Sequence, residues 1–282
     1  MGRKRFWSRL TLAGFGMLAA TAVLARHDML DEKTRVDMMR AHDMTHMSML
    51  ADSTVIWELR KDLALTGNRM SGGGGMQSGD FGTATRTTTF DLTFEIGKST
   101  DEYDLSASLP WLYDRTSNGT THTESGVGDL RLTASRTFLA PAEGLFASGS
   151  VMVKVPTADE SEGLGTGEFD AGVSATVGHK FAANRIGLTL GYIVVGDPPD
   201  IDYDNRAFAS VFWSRKLGEK TGGYVSLDTR TAMFDDLDNP VSFGFGYYGN
   251  VGEHYTIGID TGIGLNDTAS DYYASAYLSL WF

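Results

Sequence analysis

The chain contains no cysteine, which excludes disulfide bonds, thiolate metal sites, thiol nucleophiles and a lipidated N-terminal cysteine. Basic residues are also few, because 24 Lys and Arg stand against 36 Asp and Glu. The net charge of −12 makes nucleic acid and anionic lipid surfaces poor partners. Long hydrophobic runs are missing too. The apolar stretch at residues 10–25 is shorter than the roughly 20 residues that a membrane-spanning helix requires, so a membrane form of this chain must be a β-barrel.

The N-terminus has the arrangement of a secretory signal peptide. Basic residues precede the apolar stretch, which ends in small residues, and cleavage is expected after Ala22 or Ala25. The sequence therefore predicts a signal peptide at residues 1–25, a periplasmic Met- and His-rich segment at residues 26–52, and a single β domain at residues 53–282.

The remainder of the chain alternates between apolar and small or polar residues with a period of two, which is typical of β-strands. In one segment Phe90 and Leu92 would face one way while Asp91 and Thr93 face the other. Twelve such segments are predicted, at residues 53–66, 86–97, 103–113, 126–138, 144–156, 168–181, 186–196, 205–217, 222–233, 241–249, 255–265 and 272–282. The strands predict an all-β fold. Their even number and the aromatic C-terminal residue, Phe282, favour a transmembrane antiparallel up-and-down β-barrel over a soluble β-sandwich.

Long and short connections alternate between these strands. Outer-membrane barrels have short periplasmic turns and longer outer loops, so both termini are expected in the periplasm. The first outer loop would be residues 67–85, including the four glycines at 72–75. The first strand, residues 53–66, would pair with the last strand and direct four side chains toward lipid: Trp57, Leu59, Leu63 and Leu65. Trp213, Tyr255 and Trp281 would lie at a lipid interface.

Four short motifs resemble a known family. They are SGDFGT at residues 78–83, GVGDL at 126–130, KVPTAD at 154–159 followed by GLGTG at 163–167, and GY at 191–192 followed by GDP at 196–198. In this order and spacing they resemble the outer-membrane barrels linked to meta-pathway phenol degradation, over most of the β domain. The resemblance implies a barrel that passes small molecules, including aromatic or hydrophobic ones, across the outer membrane.

Charged residues that alternate with the apolar, lipid-facing residues of a strand are expected to face the barrel lumen. They are Asp91, Glu95, Asp104, Asp129, Arg131, Lys154, Asp170, Lys180, Asp228, Arg230 and Asp260. Two roles remain open for them. They can form ion pairs that brace the interior, or they can form a selectivity surface for a permeating solute. A barrel of twelve strands is narrower than the wide general porins.

The segment ahead of the barrel holds a candidate metal site. If it is helical, Met38, His42, His46 and Met49 share one face, and thioether with imidazole suits copper. The alternative is a Met-rich lead segment without metal chemistry.

An enzyme is not expected. His179 is two residues from Phe181, where a barrel phospholipase would need its serine nucleophile. The sequence predicts no catalytic residue and no cofactor.

The sequence thus favours an outer-membrane channel or transporter for small molecules. A non-conducting structural barrel and a copper-related protein remain as alternatives. The expected partners are outer-membrane lipid and lipopolysaccharide, the barrel-assembly machinery through the strand that ends at Phe282, and a small-molecule solute, with no nucleic acid.

Overall fold

The computed structural model describes residues 63, 65–80, 86–117, 120–140, 143–198, 203–232 and 237–282. These residues form one antiparallel sheet that closes on itself. Its strands are β1 (Gly67–Gly79), β2 (Arg86–Ser99), β3 (Tyr103–Ser117), β4 (Thr121–Val127), β5 (Leu130–Leu139), β6 (Gly144–Val155), β7 (Asp170–Phe181), β8 (Asn184–Val194), β9 (Arg206–Lys216), β10 (Thr221–Arg230), β11 (Val241–Val251), β12 (Tyr255–Gly264) and β13 (Tyr272–Trp281). A short 3-10 helix, Glu160–Glu162, lies between β6 and β7. Among the described residues, no helix is long and apolar enough to cross a membrane.

The thirteen strands occupy twelve positions around the barrel, because β4 and β5 share one position. Both pair with β3, β4 along its second half and β5 along its first half. Between them, the pairing register shifts by one residue at Gly128 and Asp129, which is a β-bulge. The predicted twelve-stranded antiparallel barrel is therefore confirmed. The predicted loop at residues 114–125 is wrong in part, since β3 and β4 extend through most of it as a hairpin.

The first strand of the barrel lies later in the chain than predicted. It is β1, which occupies most of the segment expected to be the first outer loop and contains the four glycines. Its hydrogen-bond partners are β2 on one side and β13 on the other, in unbroken register. A run of glycines shows no alternation of side chains, so it indicates a loop by sequence, whereas two flanking strands can hold it extended.

Leu63 and Leu65 were expected on the lipid side of the first strand, and this is wrong. Both precede β1, and Leu63 is buried in a cluster with Phe146, Phe212 and Tyr248 inside the barrel. Trp57 and Leu59 lie outside the described residues, as do the predicted signal peptide and almost all of the predicted first strand.

The two ends of the barrel differ in their connections. The start of β1 and Phe282 lie at the same end as the short turns, such as residues 182–183 and 252–254. We call this the terminal end. The opposite end carries longer connections, among them residues 156–169 and 195–205, and we call it the loop end.

Apolar side chains form a continuous belt on the outer surface. Phe94 is 66% exposed and Ile96 is 60% exposed, while Thr93 and Glu95 between them point inward. Every strand has at least one large apolar side chain on this outer surface. The outer surface is therefore the face of the barrel that meets lipid.

Candidate functional site in the barrel lumen

The inner wall of the barrel is lined by small, polar and aromatic side chains. On β7, Ser174 and Thr176 are buried inside, whereas their neighbours Val173 and Val177 are more than half exposed to the outside. The eleven charged residues that the sequence predicts in the lumen all occupy inward positions. They are Asp91, Glu95, Asp104, Asp129, Arg131, Lys154, Asp170, Lys180, Asp228, Arg230 and Asp260. They do not form one site, because they are distributed among several groups along the lumen.

The first group lies at the terminal end around Arg69. Its guanidinium group binds Asp104 through two hydrogen bonds, of 2.5 and 2.9 Å, and donates to Glu95 Oε1 at 2.9 Å. Ser99 Oγ accepts a further bond from Arg69 Nη1 at 2.8 Å, and its hydroxyl donates to Asp104. Arg69 is 1% exposed. This network joins β1, β2 and the beginning of β3.

Trp281 lies beside this network, inside the barrel. The sequence placed it at a lipid interface, but its ring is buried and its Nε1 donates to Thr256 Oγ1 at 3.1 Å. The guanidinium carbon of Arg69 is 5.8 Å from the centroid of the Trp281 ring, a distance that suits a cation–π interaction. The last strand thus contributes an inward aromatic ring to the seam with β1.

The second group lies at the loop end around Lys154. Its Nζ atom is 2.9 Å from Asp170 Oδ2 and 3.4 Å from Asp129 Oδ2, and it donates to Thr166 Oγ1 at 2.9 Å. All three charged side chains are at most 8% exposed. Burial of these charges is tolerable because each has an oppositely charged partner.

Asp129 also fixes the loop that follows β6. Its Oδ1 atom accepts hydrogen bonds from the backbone N–H groups of Thr157 and Ala158, both at 3.0 Å. The GVGDL and KVPTAD motifs therefore contact each other, through an aspartate that the β-bulge turns inward. Asp170 has a similar role, since its Oδ1 accepts from the N–H group of Gly196 at 3.0 Å.

Residues 156–169 fold against the inner face of the wall at the loop end. Leu164 is 1% exposed and packs so closely on Gly126 of β4 that a Cβ atom there would lie 2.5 Å from Leu164 Cδ1. A Cβ atom on Gly163 would lie 2.7 Å from Glu124 Oε2, on the same strand β4. The loop therefore narrows the loop end of the lumen.

The third group consists of carboxylates between the two ends. Asp260 accepts a hydrogen bond from the Tyr224 hydroxyl at 2.8 Å, and Asp228 accepts one from Ser226 at 2.6 Å. Asp91 accepts one from Thr93 at 3.0 Å. These three hydrogen bonds come from neutral hydroxyl groups, although Arg131 also attracts Asp91 and Arg230 attracts Asp228 electrostatically. The carboxylates around Arg69 and Lys154 instead form direct ion pairs.

Aromatic rings cover the inner wall of β8 to β13. They lie against glycines of the neighbouring strand: Phe208 on Gly191, Phe212 on Gly187, Tyr224 on Gly246, Tyr248 on Gly222, Tyr273 on Gly262 and Tyr277 on Gly258. In each pair a Cβ atom on the glycine would overlap the ring. One half of the wall is thus aromatic, and the ion pairs of Arg69 and Lys154 lie on the other half.

Arg69 and the aromatic wall were not predicted. Arg69 lies beside a run of glycines that indicates a loop, and such a segment has no side-chain alternation from which an inward position could be predicted. The ring and glycine pairs depend on which residues of two strands stand opposite each other, and a single sequence does not supply that register.

The candidate copper ligands Met38, His42, His46 and Met49 lie outside the described residues. Within the described part of the chain, no group of three or more His, Asp or Glu residues could hold a metal ion. His179 points outward and lies 6.0 Å from the ring of Phe181, between ring centroids.

No protein-family model and no curated protein sequence matches this chain. Solved structures share its fold. The transport unit of the autotransporter AIDA-I from Escherichia coli is 14% identical with a TM-score of 0.53, over 77% of this chain and 90% of that one. The β domain of the Bordetella autotransporter BrkA is 11% identical with a TM-score of 0.51, over 77% and 100%. The NanC porin is 9% identical with a TM-score of 0.50, over 76% and 100%. The fold is that of bacterial outer-membrane β-barrels.

Proposed function

We propose that the chain is a channel of the bacterial outer membrane that conducts small molecules with an aromatic or otherwise flat apolar face. One observation carries this proposal, the division of the lumen into an aromatic half and an ion-paired half. Tyr273 and Tyr277 are half-buried, so part of each side chain faces the lumen. An aromatic solute can stack on such rings, and its hydroxyl groups can bond to the carboxylates of Asp228 and Asp260.

The family resemblance supports the same class of solute, since it points to barrels linked to phenol degradation. We also propose that the terminal end faces the periplasm and the loop end faces outward, where lipopolysaccharide would surround it. Phe282 would then be available to the barrel-assembly machinery, because its side chain is 66% exposed while its backbone pairs with Asn68.

Single-channel recording in planar bilayers tests the proposal. The purified protein should conduct, and 4-hydroxybenzoate should interrupt the current at lower concentration than 4-hydroxycyclohexanecarboxylate, which has the same charge, the same hydroxyl group and a similar size but no π system. Replacement of Tyr277 by Ala should reduce this preference by about three- to tenfold, the equivalent of one aromatic stacking contact.

Tyr272→Ala is the matched control, because Tyr272 belongs to the same strand and points outward. It should leave the preference unchanged. A protein that carries no current in any form would refute the channel, and equal block by both acids would refute the aromatic preference.

A non-conducting structural barrel is the second candidate. The inward-folded loop 156–169 and the apolar cluster at Leu63 favour it, since each occupies lumen at one end of the barrel. It predicts no current and no solute uptake. A copper-related role stays a prediction of the sequence.

A further inference from the structure

A groove lies on the outer surface of the wall formed by β1, β2, β3, β5 and β6. Its volume is about 710 Å³, within the range of roughly 300–1,000 Å³ that is usual for ligand-binding cavities. Two alanines, Ala107 of β3 and Ala134 of β5, form its floor. Asn68 and Phe282 also line it, so the groove reaches the terminal end of the barrel.

The strand register creates this groove. Each of the two alanines stands opposite a large outward side chain on both neighbouring strands. The flanking residues are Ile96 and Leu132 for Ala107, and Leu105 and Val151 for Ala134. All four are between 44% and 60% exposed. A small residue between large ones leaves a depression, and a hydrocarbon chain makes more van der Waals contacts in a depression than on a flat surface.

Two basic side chains flank the groove. Lys98 of β2 is directly opposite Leu105, and Arg136 of β5 is two residues beyond Ala134 on the same strand. Both are exposed on the outer surface. Their Cα atoms are roughly 12 Å apart, two strand spacings across and two residues along, so both long side chains can reach one phosphate group. Within the described part of the chain, neither forms an ion pair.

Aromatic side chains accompany the two cations. The guanidinium carbon of Arg136 lies 6.0 Å from the centroid of the Phe138 ring, and that ring lies against Gly149 of β6. Tyr103 is directly opposite Arg136 and is 38% exposed on the outer surface. Tyrosine and basic side chains at the edge of an apolar belt are typical of the level of lipid headgroups.

The negative charge of the whole chain does not cancel these cations. The net charge of −12 predicts weak attraction to an anionic membrane as a whole. Physiological salt, however, screens exposed charges that are more than about 8–10 Å away. Asp101 and Glu102 are exposed in the turn between β2 and β3, where water surrounds them. A headgroup bound at the groove therefore responds mainly to the two cations beside it.

We propose that the groove binds one anionic glycerophospholipid, with an acyl chain over Ala107 and Ala134 and the phosphate group between Lys98 and Arg136. Lysine and arginine both bind phosphate through charge-assisted hydrogen bonds, and basic residues beside an apolar transmembrane surface bind anionic headgroups. The site is on the outside of the barrel and does not depend on whether the lumen conducts. With the terminal end in the periplasm, as proposed above, this lipid belongs to the inner leaflet.

Lipid binding to the purified protein in detergent micelles tests this site. The affinities for dioleoyl phosphatidylglycerol and dioleoyl phosphatidylcholine, which have the same acyl chains, are measured by native mass spectrometry. Phosphatidylglycerol should bind about 25-fold more tightly, because each of the two cations strengthens binding of an anionic headgroup about fivefold.

Lys98→Gln and Arg136→Gln should each lower the affinity for phosphatidylglycerol about fivefold and leave the affinity for phosphatidylcholine unchanged. Arg215→Gln is the matched control, because Arg215 is exposed on the outer surface at the same end of the barrel but belongs to β9. It should change neither affinity.

Ala134→Leu tests the floor of the groove. It should lower the affinity for both lipids about fourfold, the equivalent of one displaced methylene group. Ala175→Leu is its control, since Ala175 is an outward alanine of β7 that does not line the groove. This control should have no effect on either lipid.

Equal or undetectable affinity for the two lipids would overturn the site. Equal losses for Lys98→Gln, Arg136→Gln and Arg215→Gln would also overturn it, because they would reflect a general effect of charge. Full binding by Ala134→Leu would refute the placement of the acyl chain. A dimer that Ala134→Leu dissociates would make the groove an interface between two copies of the chain, and would overturn lipid binding there.

Discussion

Arg69 shows how a single buried charge is accommodated in this barrel. Its guanidinium group has hydrogen-bond partners on two neighbouring strands, and both of its carboxylate partners are at most one quarter exposed. Replacing a buried cation leaves its carboxylates without a counter-charge, and such a loss costs far more than the net contribution of the intact pair. The exposed pair of Arg86 and Asp271 provides the contrast, at 52% and 46% exposure.

We expect Arg69→Met to lower the free energy of unfolding by about 3–5 kcal/mol, because Asp104 and Glu95 would lose their partner. Arg86→Met should lower it by less than about 1 kcal/mol, because water screens an exposed pair. Urea unfolding of the barrel in detergent micelles measures both. Equal losses for the two variants would contradict a structural role of the Arg69 network.

At the scale of the element, β1 is a strand that carries almost no side chains at its centre. Gly73 and Gly75 face inward, and Gly72 and Gly74 face outward. A Cβ atom on Gly73 would lie 2.9 Å from the carbonyl oxygen of Ala276, whereas one on Gly72 would meet nothing within 4 Å. Adjacent glycines of the same strand thus differ in the space around them.

We expect Gly73→Ala to lower the free energy of unfolding by about 1–3 kcal/mol, since β1 and β13 would have to separate. Gly72→Ala should raise it by up to about 1 kcal/mol, because alanine has less conformational freedom than glycine in the unfolded chain. The two variants can be compared by the same urea titration. A larger loss of unfolding free energy for Gly72→Ala than for Gly73→Ala would contradict the inward position of Gly73 and the outward position of Gly72.

At the scale of the whole molecule, the pairing of β1 with β13 makes the sheet a closed barrel. Closure removes the two free edges that an open sheet would expose to lipid. Met70 and Leu280 stand opposite each other across this seam, both directed outward.

Met70→Cys with Leu280→Cys should therefore form a disulfide readily on oxidation, since directly paired Cα atoms in antiparallel strands are about 4.5–5.5 Å apart. Met70→Cys with Tyr255→Cys should not, because Tyr255 lies one strand further away. Mass spectrometry of peptides from the oxidised protein distinguishes them. A disulfide in the control, or none in the first variant, would contradict this closure of the barrel.

The sequence by itself determined the fold class, the number of strand positions and the approximate limits of eleven strands. It could do so because alternation between lipid and lumen is a property of neighbouring residues, which a local pattern reports. For the same reason it placed eleven charged residues on inward positions, although it missed the buried Arg69, Arg185 and Arg206.

Only the tertiary structure decided how those residues are combined. The Lys154 network joins Asp129, Asp170 and Thr166, and the rings of Tyr273 and Tyr277 find their glycines through strand register. The inward position of Leu63 and the extended glycines of β1 depend on strands far away in the chain. Contacts of this kind are set by how the sheet closes, and no local pattern encodes them.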